Sequence, residues 1–441
     1  MPEYCVIGAG AAGLSALQQL RSAGHSVDCL EKTDRVGGHW HTDYDALHLI
    51  TSRNMTHFED FPMPEDDPHF PRRDQVRDYI ESYAHEHGHY DIIQFNTEVT
   101  AVRPVDSDGP TGSAGWEVST SAGTKIYDGV LIANGHLWDP HIPEVPGSFA
   151  GSQLHSKHYR NVDDLAEDGR VLVVGAGNSG CDLAADAAAH RRDVDLVMRH
   201  AIYFQPKTYF GVPRQEVEFF KGLSPAEIDF ANRQLARIAI GEAHNYPNMP
   251  IPEHRTLAEG ATTVNDLVLY WIHHGRINIR PGIASFDNHR VTFTDGSDGV
   301  YSTILWATGF RSSVPFIDDA LVQRMNEHPK RYGAGIVPAG LEKLYYIGMI
   351  APRGPQIPIY GVQAKVVNKM IAIHEAAGPQ GAPIAHHLAS QQQPEWRIDI
   401  VRDIWLDQLA DTERLLAAYP HETTRSPVAA DAVVTGAING R

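Results

Sequence analysis

The sequence predicts an α/β protein made of two doubly wound, parallel-sheet domains, the second inserted into the first. Three observations predict this. The pattern G-x-G-x-x-G occurs twice, as Gly8-Ala9-Gly10-Ala11-Ala12-Gly13 and Gly175-Ala176-Gly177-Asn178-Ser179-Gly180. Two further runs, Gly129 to Ala133 and Thr303 to Trp306, read as buried strands that end in glycine turns, Asn134-Gly135 and Ala307-Thr308-Gly309-Phe310. The length, 441 residues, exceeds what one core usually organises and fits two domains.

The first glycine pattern follows the apolar run Tyr4-Cys5-Val6-Ile7 and opens a helix over Ala11 to Ser22 that stops near Gly24. A second strand, Ser26 to Leu30, then ends on Glu31, which completes a strand, turn, helix, strand unit. Gly8 and Gly10 allow a tight turn and close approach to a pyrophosphate, Gly13 allows close helix–strand packing, and the helix start offers free N–H groups to phosphates. Glu31 stands where a carboxylate accepts hydrogen bonds from a ribose, which suits an adenosine without a 2′-phosphate.

The second unit repeats the plan with strand Arg170 to Val174, helix Ser179 to Ala189 and strand Val194 to Met198. Its second strand ends in Met198-Arg199-His200, and a cation there suits a 2′-phosphate, which Arg grips as a fork. Arg199 is the expected residue, with Arg191, Arg192 and Lys207 as alternatives. One such unit holds one dinucleotide, so the pair implies a flavin meeting a nicotinamide, FAD in the first unit and NADPH in the second.

The nicotinamide unit is expected to interrupt the flavin domain. The expected layout is 1–160 for the first part of the FAD domain, 161–302 for the NADPH domain with a helical insertion around 205–263, and 303–441 for the rest of the FAD domain. The Pro-rich stretch Pro140 to Pro146 and the loop before Arg170, then the return near Tyr301, mark the expected boundaries. The segment from Ala385 to Leu416 reads as helical and polar, and the last dozen residues as loosely held.

Composition narrows the function classes. The chain is 42% hydrophobic and 21% charged, with a formal net charge of −18 and no Lys/Arg run. That argues against a nucleic-acid partner and against an anionic membrane surface. The first strand begins within four residues of Met1 and no apolar run approaches a bilayer span, so the expected location is cytoplasmic. A homodimer stays open. Cys5, Cys29 and Cys181 are scattered with no CxxC, which excludes the dithiol disulfide reductases. His85-Glu86-His87-Gly88-His89 matches the HExxH zinc pattern, but the helix over Arg73 to His85 ends near Gly88, so its two end histidines would not share a face and no metal site is expected.

Between the two glycine patterns lies Phe149-Ala150-Gly151-Ser152-Gln153-Leu154-His155-Ser156-Lys157-His158-Tyr159. It resembles the FxGxxxHxxx(Y/F) signature of the flavin-containing monooxygenases, class B flavoprotein monooxygenases. The resemblance runs over nearly the whole chain. Glu31-Lys32 with Gly37-Gly38-His39-Trp40 is similar to EKxxxxGGxW, and Phe58-Glu59-Asp60-Phe61-Pro62 to FxDFP. Val173 to Gly180 is similar to VVGxGNSG, Ala307-Thr308-Gly309-Phe310 to ATG(Y/F), and Tyr346-Ile347-Gly348 and Gln363-Ala364 to the FIG and QA elements. Baeyer–Villiger monooxygenases share both glycine patterns, but their signature ends in Trp where Tyr159 stands. The N-hydroxylating ornithine and lysine enzymes lack the signature.

The resemblance implies a cycle in which NADPH reduces FAD, NADP⁺ stays bound, O₂ adds at flavin C4a, and the hydroperoxide passes one oxygen to a small nitrogen or sulfur nucleophile. It needs no acid–base dyad. The alternatives are ketone oxygenation and an uncoupled NADPH oxidase. Cofactor contacts are expected from Gly8, Gly10, Ala12, Gly13, Glu31, Lys32, Gly38, His39, Trp40, Gly175, Gly177, Asn178, Ser179, Gly180, Arg199, Ala307, Thr308, Gly309 and Gln363. The family places an Asn eight residues before the Phe of FxDFP; here that position is Ile50. Thr51, Ser52 or Asn54 is expected to line the reaction site instead, with His155 either tying the domain linker or touching substrate.

Overall fold

A computed structural model describes residues 2–105, 110–325, 327–377 and 383–419. The two glycine patterns sit at equivalent points of two all-parallel five-stranded sheets. In the first, the strand order is Leu344–Tyr346, Gly129–Ile132, Glu3–Ile7, Ser26–Leu30, Ile93–Gln94. In the second it is Ser152–His155, Thr303–Trp306, Val171–Val174, Val194–Val197, Ile277–Arg280. Strands covered on both faces read as unbroken apolar runs. Val171–Val174 and Thr303–Trp306 are buried along their full length.

Each sheet centres on the strand that feeds its glycine turn. Glu3–Ile7 pairs with Ser26–Leu30 on one side and Gly129–Ile132 on the other. Val171–Val174 pairs with Val194–Val197 and Thr303–Trp306 in the same way. The helices Ala11–Ser22 and Asn178–Ala189 pack back on their sheets through buried Leu14, Leu17 and Leu20, and through Cys181, Leu183 and Ala184.

The second sheet draws in Ser152–His155 and Thr303–Trp306 from either side of the span 161–302 expected for it. Both strands lie outside that span because a parallel sheet can recruit strands from remote segments. Both chain crossings between domains are tied together, since Phe310 and Arg311 pair antiparallel with Pro140 and Asp139. Between Tyr203 and Thr263 the insertion carries one α-helix, Pro225–Ile240. It also carries a small hairpin, Thr208–Tyr209 with Val212–Pro213. The segment after Ala385 is helical as expected in Arg402–Ala417, while the loosely held end lies outside the described residues.

Candidate active site and its cofactor cradles

In the first cradle the three glycines do different work. Gly8 has φ 103°, and a Cβ there would lie 2.7 Å from the Ala133 carbonyl oxygen. A Cβ on Gly13 would sit 1.8 Å from the Gly8 oxygen, while nothing lies within 4 Å of the Cβ that Gly10 lacks. Packing therefore demands Gly8 and Gly13, and Gly10 leaves space for a ligand. The helix Ala11–Ser22 starts with no side-chain cap and no acid in its first turn, which leaves its N–H groups for phosphate.

Other expected residues gather round this helix start. Glu31 is buried, and its oxygens accept from Ala9 N at 2.8 Å and from Thr33 N and Oγ1, both at 2.8 Å. The Cβ that Gly38 lacks would lie 3.6 Å from Gly10 Cα, which brings the Gly37-Gly38-His39-Trp40 turn over the cradle. His39 Nδ1 lies 2.6 Å from Asp43, and its ring packs on Trp40. Ala12 faces Gly348, whose N–H donates to Gln363 Oε1 at 2.8 Å. The Gln363 side-chain NH₂ is fully buried with no partner, an orphan donor a bound group would satisfy. Lys32 is exposed with its ammonium 5.0 Å over the Trp138 ring.

The second cradle repeats the geometry. Gly175 has φ 105°, and a Cβ there would meet the Ala307 oxygen at 2.4 Å. A Cβ on Gly180 would lie 1.8 Å from the Gly175 oxygen and 3.3 Å from Ala307 Cβ, while that of Gly177 faces open space. Asn178 Oδ1 accepts from Val264 N at 2.8 Å, so this side chain braces the loop and does not point to a ligand. The Ser179 hydroxyl meets the Tyr44 phenol.

The pairing register refines the expectation at Arg199. Leu30 and Val197 are equivalent, since Gly8 N donates to one and Gly175 N to the other. Buried Met198 therefore stands where the first unit has Glu31, and Arg199 corresponds to Lys32. No ribose carboxylate exists here, and Arg199 is exposed with no ion pair among the described residues. Arg191 and Arg192 lie past the far end of the helix Asn178–Ala189, and Arg192 donates to the Ala166 and Gly169 carbonyls. Neither reaches the cradle. Arg170 and Arg280 are committed to buried Asp195, whereas Lys207, the remaining alternative, lies with its ammonium 5.5 Å over the Phe70 ring.

The residues expected at the reaction site divide. The Thr51 hydroxyl is buried against Thr56 Oγ1 at 2.6 Å. Ser52 donates to Glu216 Oε1, and Asn54 Nδ2 to Glu216 Oε2 at 2.9 Å. Glu216 belongs to the insertion of the other domain and carries no sequence motif, so only the tertiary structure reveals it. His155 is buried; Lys157 N–H donates to its Nδ1 at 3.1 Å, and Nε2–H donates to the Gly309 oxygen at 3.0 Å. With both ring nitrogens engaged, His155 ties the linker. Thr308 Oγ1 caps the His141 carbonyl of the other crossing, so Thr308 and Gly309 also serve the junction. In the zinc-like run, His85 stacks on Tyr90 while His89 lies against Arg21, and no metal-binding cluster occurs among the described residues.

Open space at Gly10 and Gly177, uncapped helix starts, the orphan amide of Gln363 and unpaired Arg199 all fit bound dinucleotides at both cradles. Residues 3–395 match the model of the flavin-binding monooxygenase-like family. The chain belongs to this family. It is 32% identical to flavin-containing monooxygenase 3 of Rattus norvegicus over 84% of this chain and 73% of the relative. It is 31% identical to flavin-containing monooxygenase 5 of Oryctolagus cuniculus over 82% and 72%. Solved structures share the fold. The flavin-containing monooxygenase of Stenotrophomonas maltophilia has TM-score 0.64 at 22% identity, covering 84% of this chain and 99% of that one. The NADP⁺-bound cyclohexanone monooxygenase of Rhodococcus sp. Phi1 has TM-score 0.67 at 17%, covering 95% and 97%.

This flavin-binding monooxygenase uses FAD and NADPH. When bound, the two supply oxygen activation and hydride. The protein's share would be to hold them: Gly10 and the Ala11 helix start would take one pyrophosphate, Gly177 and the Asn178 helix start the other, and Gln363 would offer its amide inside the first cradle. Among the described residues of the monooxygenase, no helix is long and apolar enough to cross a membrane.

Proposed function

We propose that the enzyme transfers one atom of O₂ to a small sulfur or nitrogen nucleophile, so that substrate, O₂, NADPH and H⁺ give oxygenated substrate, NADP⁺ and water. Tyr159 carries this reading over ketone oxygenation. It occupies the last signature position, fully buried, with its phenol donating to Asp186 at 2.6 Å. Identity near 30% to flavin-containing monooxygenases supports it, whereas the likeness to ketone monooxygenases is one of fold. A fold neighbour from Allium sativum is an S-allyl-L-cysteine S-oxygenase, with TM-score 0.60 and 19% identity, covering 95% of this chain and 91% of that one. In the same reading Arg199 selects NADPH, and the acidic chain, at −18, works in the cytoplasm away from anionic bilayers.

A panel of thioethers, tertiary amines and cyclic ketones, assayed for product alongside NADPH consumption, tests the choice. Faster turnover of ketones would overturn it. Ile50, apolar where the family carries an amide, favours one second reading, an NADPH oxidase. Hydrogen peroxide equal to NADPH consumed with every compound would establish that instead.

A further inference from the structure

Two cradles on separate sheets must stay closed on each other while oxygen is transferred, because water entering the cleft diverts NADPH electrons to peroxide. The coupled reaction yields oxygenated substrate, NADP⁺ and water. The uncoupled one converts NADPH, H⁺ and O₂ to NADP⁺ and H₂O₂. At one side of the cleft the domains are joined covalently, and the crossings are tied by His141 N to the Gly309 oxygen at 3.0 Å and by His155. Away from these crossings no covalent tie joins the domains among the described residues, so closure there rests on side chains.

The insertion supplies them. After the hairpin Thr208–Tyr209 and Val212–Pro213, Gln215 and Glu216 both meet segments of the FAD domain. Gln215 Nε2 lies 3.9 Å from the position a Cβ on Gly354 would take, and Gly354 follows the strand that leaves the first cradle at Gly348. Glu216 accepts from both Ser52 and Asn54, on the loop that begins at Ile50. Ser52 is 1% exposed, so its hydroxyl is committed to this carboxylate. Glu216 forms no ion pair among the described residues. Its two oxygens are spent on donors of the other domain, and charged acceptors make the stronger hydrogen bonds.

We infer that Glu216 is a positioning residue of the monooxygenase, a clasp from the NADPH domain that holds the Ile50–Asn54 loop over the cleft and keeps oxygen transfer coupled where position 50 offers no amide. The inference rests on the monooxygenase reading and extends it to a residue outside every sequence motif.

Glu216→Ala, Glu216→Gln and the double variant Ser52→Ala/Asn54→Ala test it in the FAD-loaded enzyme. For Glu216→Ala the fraction of NADPH recovered as H₂O₂ rises several-fold while the KM for NADPH stays within about two-fold. Amide exchange of Thr51 to Thr56, measured by mass spectrometry without turnover, quickens about ten-fold, as loss of roughly 1.4 kcal/mol of tethering implies. Glu216→Gln, which keeps one acceptor, falls between. The double variant reproduces Glu216→Ala, and adding Glu216→Ala to it changes nothing further. Wild-type coupling and exchange in Glu216→Ala would overturn the clasp, as would a triple variant worse than the double. A wild-type enzyme that releases only peroxide would sink the substrate reading, and the exchange measurement would still decide the clasp.

Discussion

The phenol of Tyr44 in the FAD domain donates a 3.0 Å hydrogen bond to Asp182 Oδ2 in the NADPH domain, with both side chains buried. Asn265 Nδ2 donates to the other oxygen at 2.7 Å. Burial dominates these donors and pushes the Asp182 carboxyl up to about 7. The junction between domains thus contains a carboxyl that resists ionising near neutrality.

Stability should therefore fall with rising pH. Below the ordinary carboxylate range Asp182 is protonated folded or unfolded, and its contribution is complete. As pH climbs from there to about 7 the unfolded chain ionises first, and the contribution is lost. Denaturant melts at pH 5 and pH 7 should differ by on the order of 1–2 kcal/mol through this group, and Asp182→Asn should remove that part of the slope. An unchanged slope in the variant would show that Asp182 ionises freely.

Gly177→Ala and Gly10→Ala separate cofactor binding from folding. Neither new methyl group has a protein atom within 4 Å, so each variant should unfold within about 1 kcal/mol of wild type. Gly177→Ala should keep its FAD yet need at least about ten-fold more NADPH for half-maximal flavin reduction, while Gly10→Ala should purify with little flavin. Equal loss of FAD in both would argue that the cradles are not separate.

Arg199→Ala should raise the KM for NADPH roughly ten- to a hundred-fold, the loss of a charged hydrogen-bonding pair, and leave that for NADH within about two-fold. Steady-state kinetics with both cofactors decide it. Parallel changes for NADPH and NADH would remove Arg199 from the phosphate site.

His155→Gln should lower thermal stability, because the buried imidazole bonds both Lys157 N and the Gly309 oxygen. The expected cost is about 1–3 kcal/mol. Burial also holds the imidazole below its ordinary pKa. If His155 only positions the linker, the pH profile of kcat keeps its shape in the variant; loss of one limb would make it an acid or base.

Local chemistry made the cradles legible. A Cβ at Gly8, Gly13, Gly175 or Gly180 would lie 2.7 Å or less from a backbone oxygen, so the turn demands glycine at each and spacing alone located both helix starts. The missing amide at Ile50 was visible by the same positional reading. Glu216 was not, since it reaches Ser52 and Asn54 across more than 160 residues of sequence from an insertion without a motif. The place of Ser152–His155 in the second sheet was not legible either, since Ser-Gln-Leu-His carries no apolar run and its pairing with Thr303–Trp306 joins segments about 150 residues apart.

What the sequence by itself determined was the pair of nucleotide units, their order and the family to which they belong, all set by residues a few positions apart whose backbone conformations and turns are local. What only the tertiary structure decided was the closing of one unit on the other: Tyr44 on Asp182, Glu216 on Ser52 and Asn54, and His155 turned to the linker. Those contacts depend on how two sheets are oriented, and orientation comes from burial summed over the whole interface, which no short pattern encodes.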